Sequence, residues 1–109
     1  DIMSSQELMK RAMAGDFMRN GMDEKDLGML NSAYDIYFEL MEEFPEEANY
    51  PFSLALICNY KKDYAGELHY LNILKSGDEN GRFTRGEGFA SNEDGIIDER
   101  IDELKRKII

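Results

Sequence analysis

The 109-residue chain predicts an all-α fold of about five helices paired into antiparallel helical hairpins, with a C-terminal helix as a cap. Three observations predict it. Leu30, Tyr34, Tyr37 and Leu40 recur 34 residues later as Tyr64, Leu68, Leu71 and Leu74, and helical hairpins that repeat at this length bury one helix face against the next hairpin. Apolar residues return in steps of three and four along most of the chain, which is the helical interval. The composition, 42% apolar, 33% charged and 11% aromatic, is that of one globular domain, long enough for a core and too short for two.

The first helix is predicted over residues 5 to 20. Ser4 and Glu7 have capping-box spacing, Leu8, Met9, Ala12, Met13 and Phe17 follow at helical intervals, and Asn20-Gly21 supplies a stop. The second helix is the most strongly marked: Leu27, Leu30, Tyr34, Tyr37, Met41 and Phe44 form a seam that lasts until Pro45. Ala33, Ile36, Phe38 and Leu40 widen that seam, as burial between two neighbours requires, and Gly28 marks a kink or a late start. A third helix is expected over 47 to 61, with Glu46-Glu47 at its positive end and Pro51 early enough to be tolerated. After the turn Lys61, Lys62 and Asp63, a fourth helix carries Tyr64, Leu68, Leu71 and Leu74 and fades at Ser76-Gly77.

Residues 1–75 thus read as helical hairpins and 76–94 as a Gly-rich loop, with Gly77, Gly81, Gly86 and Gly88 among charged and small residues. Structureless segments beyond about 12 to 15 residues are uncommon in compact domains, so this one is a mobile insert or a functional feature. Mobility is the simpler reading. Residues 95–109 form an amphipathic helix: Ile97, Ile101, Leu104 and Ile108 make its stripe, with Asp98, Glu99 and Asp102 early and Lys105, Arg106 and Lys107 late, as the helix dipole favours. The whole is one helical domain.

Between residues 30 and 75 the chain resembles the tetratricopeptide repeat family. Ala33, Tyr37, Leu40 and Pro45 stand at the intervals of that repeat's second helix, and Leu54 and Ala55 match the opening of the next hairpin, where Cys58 replaces an aromatic residue. Lys62, Asp63 and Tyr64 match the family's turn in two of three places, while Glu67 replaces its small residue. A glutamate at a close-contact position must point outward or be paired. Extending the resemblance to the first helix requires an insertion of about two helical turns, because Asn20 lies 34 positions before Leu54. The resemblance implies a scaffold that binds a peptide or helix of another protein in a helix-lined groove. It places Asn49, Phe52, Leu56 and Asn59 of the third helix on the concave face, a mixed apolar and amide surface suited to an extended peptide or a partner helix. Phe52 and Leu56 argue against the carboxylate-clamp subclass of the family. A closed five-helix bundle is the alternative architecture, and packing of Phe52 and Leu56 beneath the first helix or the long loop is the alternative to the groove.

The charge narrows the partners. With 13 basic and 23 acidic side chains the net charge is -10, which repels nucleic acid and anionic lipid and favours a basic or neutral protein or peptide. No segment approaches the roughly 20 apolar residues needed to cross a bilayer. The cytoplasm is the favoured location, with a removed leader left open by the absence of an initiator Met at Asp1.

Chemistry has few carriers, so the chain is expected not to be an enzyme and to need no cofactor or metal. Cys58 and His69 lie eleven residues apart on different predicted helices with no orienting group nearby. Asn92, Asp94, Gly95, Ile97 and Asp98 have the spacing of the middle of an EF-hand loop, but Ala90 and Ile101 occupy its end ligand positions. Glu42, Glu43, Glu46 and Glu47 read as a solvated acidic corner, and Met9, Met13, Met18, Met22 and Met29 read as core filler. The expected function is therefore an adaptor or chaperone-like binding module. The alternative is a structural domain that spends its apolar faces on homo-oligomerisation, as a homodimer for example, and leaves no free groove.

Overall fold

The structure is a computed structural model that describes residues 3–86 and 95–108. Five helices follow one another: α1 (Ser5–Glu24), α2 (Leu27–Glu43), α3 (Asn49–Tyr60), α4 (Tyr64–Glu79) and α5 (Ile96–Ile108). Among the described residues no helix is long and apolar enough to cross a membrane. Three helix starts are fixed by side chains that accept an otherwise orphaned N–H: Ser4 from Glu7, Asp26 from Met29 and Asp63 from Gly66, at 3.0–3.1 Å.

Each helix packs on its predecessor, so α1 pairs with α2, α2 with α3, α3 with α4 and α4 with α5. The molecule measures 38 × 34 × 20 Å, and its short dimension is that of two helix layers. Leu30, Leu40, Leu54, Ile57, Leu74 and Leu104 are fully buried and draw α2 to α5 onto one core. Tyr60 ties α3 back to α1 by donating its hydroxyl hydrogen to the Met22 carbonyl at 3.0 Å. The stripe of α5 is turned inward through Ile97, Ile101 and Leu104 while Asp102, Glu103 and Lys105 stay exposed, which gives the C-terminal end of the stack a polar cover.

Several boundaries differ from those predicted, each for a packing reason. The first helix does not stop at Asn20-Gly21. It continues to Glu24 and ends at Lys25, whose left-handed backbone (φ 56°) returns its N–H to the Gly21 carbonyl. Gly21 is instead the point of closest approach between α1 and α2: an added Cβ would lie 2.9 Å from Leu30 Cγ and 3.1 Å from the Leu30 backbone nitrogen. Gly21→Ala is therefore expected to destabilise by about 1–2 kcal/mol, overpacking against backbone outweighing the ~1 kcal/mol gain in helix propensity. Gly15→Ala, whose Cβ would meet nothing nearer than 3.8 Å, is expected to be neutral or stabilising. Urea denaturation of the pair checks the contrast.

Gly28 is the second residue of α2, so that helix has no late start. The third helix begins at Asn49 rather than 47, and Pro51 falls in its first turn, where its missing N–H is harmless. The fourth helix runs past Ser76-Gly77 to Glu79, because Gly77 is the seat of the Phe83 ring rather than a stop. The predicted loop accordingly starts at Asn80. Its first part is held: Thr84 and Arg85 donate their backbone N–H groups to the Glu46 carbonyl, and Ala48 donates to the Arg85 carbonyl, at 3.0–3.1 Å. Residues 87–94, with Gly88, Phe89, Ala90, Asn92 and Asp94, lie outside the described residues. The methionines divide: Met18 and Met22 pack against the core, whereas Met9 and Met13 are exposed on α1.

Candidate functional site: a groove between α3, α4 and α5

One concave surface follows from this stacking. Phe52, Leu56 and Asn59 lie along the open face of α3, Leu71 of α4 supplies part of the floor, and Ile96 with Ile97 forms the opposite wall. The groove has a volume of about 320 Å³ and is mostly apolar, the character of a recognition cleft. Leu56 is 38% exposed and Ile96 65% exposed, so the groove presents large aliphatic side chains to solvent. Phe52 differs from them, being half buried against the core.

Of the four residues placed on this face by sequence, Phe52, Leu56 and Asn59 line the groove and Asn49 does not. Asn49 starts α3 one turn too early, and its backbone N–H is 3.4 Å from Glu47 Oε1. Sequence reasoning missed the opposite wall and the polar end. Arg100 donates from Nε and Nη2 to the two Glu67 carboxylate oxygens at 2.8 and 2.9 Å, and from Nη1 to Glu103 at 2.6 Å. Asn59 Nδ2 adds a longer donation to Glu67 at 3.3 Å. Glu67, 5% exposed, thus resolves the conflict raised by a glutamate at a close-contact position: it points inward and is paired. Its hydrogen bonds raise the Arg100 pKa still further, so the cation is permanent. A two-pronged link across 33 residues leaves no periodic signal, which is why only the unpaired-glutamate puzzle hinted at it.

A second polar constellation sits at the α2–α3 corner. Arg85 meets Glu7 at 2.6 Å, Glu47 at 3.2 Å and Glu46 at 3.3 Å, and its guanidinium lies 5.6 Å from the centre of the Phe44 ring. Glu7 and Glu47 are 3% and 2% exposed, so the acidic corner is not uniformly solvated as predicted. Tyr50 donates its hydroxyl hydrogen to Glu7. Burial pushes the Glu7 pKa up, but the hydrogen bonds from Tyr50 and Arg85 and the charges of Arg85 and Arg11 prevail, and it rests below the ordinary value. Burial, reinforced by that same hydrogen bond, pushes the Tyr50 phenol upward.

Cys58 is buried against α4 where Gly66 leaves room for its sulfur. Burial, with Asp63 nearby, pushes its thiol up to about 11, and His69 is exposed beside the Tyr70 ring. Such a thiol is a packing group rather than a nucleophile. Aromatic-disulfide labelling at pH 8 is expected to be at least about a hundredfold slower in the native chain than in urea. Comparable rates would mean the α3–α4 contact opens freely. Comparison with protein-family models, curated proteins and solved structures returns no match.

Proposed function

We propose that the chain is a tetratricopeptide-like, non-enzymatic binding module that holds a short apolar segment of a partner protein in the α3–α4–α5 groove. The observation that carries this reading is the groove itself, in which Leu56 and Ile96 face solvent across a cleft with a paired polar end. The net charge of -10 favours a segment whose apolar residues are flanked by basic or neutral ones, and speeds its encounter. Burial of Ala33, Tyr37, Leu40, Leu54, Ala55 and Cys58 supports the repeat-like reading, since these are the positions through which the resemblance is drawn. Selection of a random peptide library on the folded chain tests the proposal. Enrichment of sequences with paired apolar residues and basic flanks is expected, and the same selection on Leu56→Asp/Ile96→Asp should lose it. Equal enrichment on both proteins would overturn the assignment.

A different observation favours a second reading, homo-oligomerisation. Leu8, Met9 and Met13 are 53%, 66% and 48% exposed on α1, whereas Ala14 and Gly21 of the same helix are buried. Light scattering over a wide concentration range separates the two: a constant monomer mass supports the groove reading, and a persistent dimer supports this one.

A further inference from the structure

The Arg85 constellation has the parts of a peptide complex. The backbone of residues 84–85 runs parallel to Glu47 in a short bridge, joined by the three hydrogen bonds to Glu46 and Ala48. Such main-chain pairing holds any extended strand and carries no sequence preference. The side chains add the selectivity. One guanidinium is shared among Glu7, Glu46 and Glu47 and covers the face of Phe44, a demand for a planar, multidentate cation that lysine does not meet. The following position must be glycine: Gly86 has φ +91°, and a Cβ there would lie 2.8 Å from Glu47 Oε1 and 3.1 Å from the backbone nitrogens of Ala48 and Asn49.

The filling segment is held at the corner by Arg85 and its backbone bonds and at α4 by the Phe83 ring over Gly77. It leaves α4 through Gly81 at φ +70°, with open space around that residue, and Arg82 and Thr84 are exposed while Phe83, Arg85 and Gly86 are half buried. The receiving groups belong to three helix ends; Glu7 and Glu47 are nearly closed off from water, while Glu46 and Phe44 are partly exposed.

We infer that the α2–α3 corner is a recognition site for an extended Arg-Gly peptide segment, and that the chain's own residues 82–86 fill it in cis. A partner protein bearing an aromatic-x-Arg-Gly stretch is the class of ligand that fits. This site is separate from the α3–α4–α5 groove and stands or falls without it.

The test uses the hexapeptide Gly-Arg-Phe-Thr-Arg-Gly, capped at both ends and carrying a fluorophore, titrated into Arg85→Met by anisotropy. Binding at least tenfold tighter than to the unaltered chain is expected, because the unaltered corner is occupied. A peptide with its second arginine changed to alanine should bind at least tenfold more weakly, and Leu56→Asp/Ile96→Asp in the Arg85→Met background should change nothing. Should Arg85→Met fail to fold, Thr84→Pro keeps every carboxylate and deletes one backbone donor to Glu46, loosening the segment for the same titration. No gain in binding for either variant, or equal binding of the alanine peptide, overturns the inference.

Discussion

Arg85→Ala is expected to cost about 3 kcal/mol of stability, which removing one partner of a buried ion pair typically does, and urea denaturation at pH 7 measures it directly. The loss comes from what is left behind. Glu7 and Glu47 are almost wholly buried, and without the guanidinium both carboxylates retain their desolvation penalty while losing the charge-assisted bonds that offset it. The pH dependence carries the same signature. In the unaltered chain the Glu7 pKa lies below its ordinary value of 4.5, so its contribution is present at pH values above that and is lost as pH falls through the depressed folded pKa. In Arg85→Ala burial is no longer outweighed, the Glu7 pKa moves upward, and protonation relieves strain. The stability gap between the two proteins should therefore narrow on going from pH 7 to pH 3. A gap that is absent at pH 7 or constant with pH would mean the ion cluster contributes little to holding the corner together.

The second large effect is on binding. Leu56→Asp/Ile96→Asp is expected to weaken capture of a library-selected peptide by about a hundredfold or more, the scale of losing central apolar anchors, with stability changed by less than about 1 kcal/mol because both side chains already face water. Phe52→Asp is the informative contrast. The ring is half buried and packs against the core, so this change should lower stability as well as affinity, by about 1–3 kcal/mol. Sequence reasoning treats Phe52 and Leu56 alike, both in the groove or both in the core, whereas the structure packs Phe52 against the core and leaves Leu56 facing solvent. Circular dichroism melting beside peptide titration distinguishes them.

Helix order and most of the core were legible because they rest on local periodicity. Leu30, Tyr37 and Leu40, with Leu71 and Leu74, are buried where the 34-residue echo places them, and Ser4, at capping-box spacing from Glu7, announces the first start. The glycines misled. Gly21 and Gly77 carry the appearance of helix stops, yet both lie inside helices at contacts with Leu30 and Phe83, a tertiary reason that no local pattern expresses. The same holds for charge: Glu47 reads as a solvated acid, Glu7 as a capping residue and Glu67 as a glutamate in need of a partner, and all three are buried through arginines 33 to 78 residues away. Half of the groove was readable from the face of α3. The other half depends on where α5 docks, which amphipathicity predicts as burial but not as position.

Amide chemical-shift mapping with a peptide selected on the folded chain tests the groove assignment most directly. The perturbed amides are expected to cluster at Phe52, Leu56, Asn59, Ile96 and Arg100, on the two walls of the groove and its polar end. Perturbations gathered instead around Leu8, Met9 and Met13 on α1, with the groove amides unmoved, would contradict it.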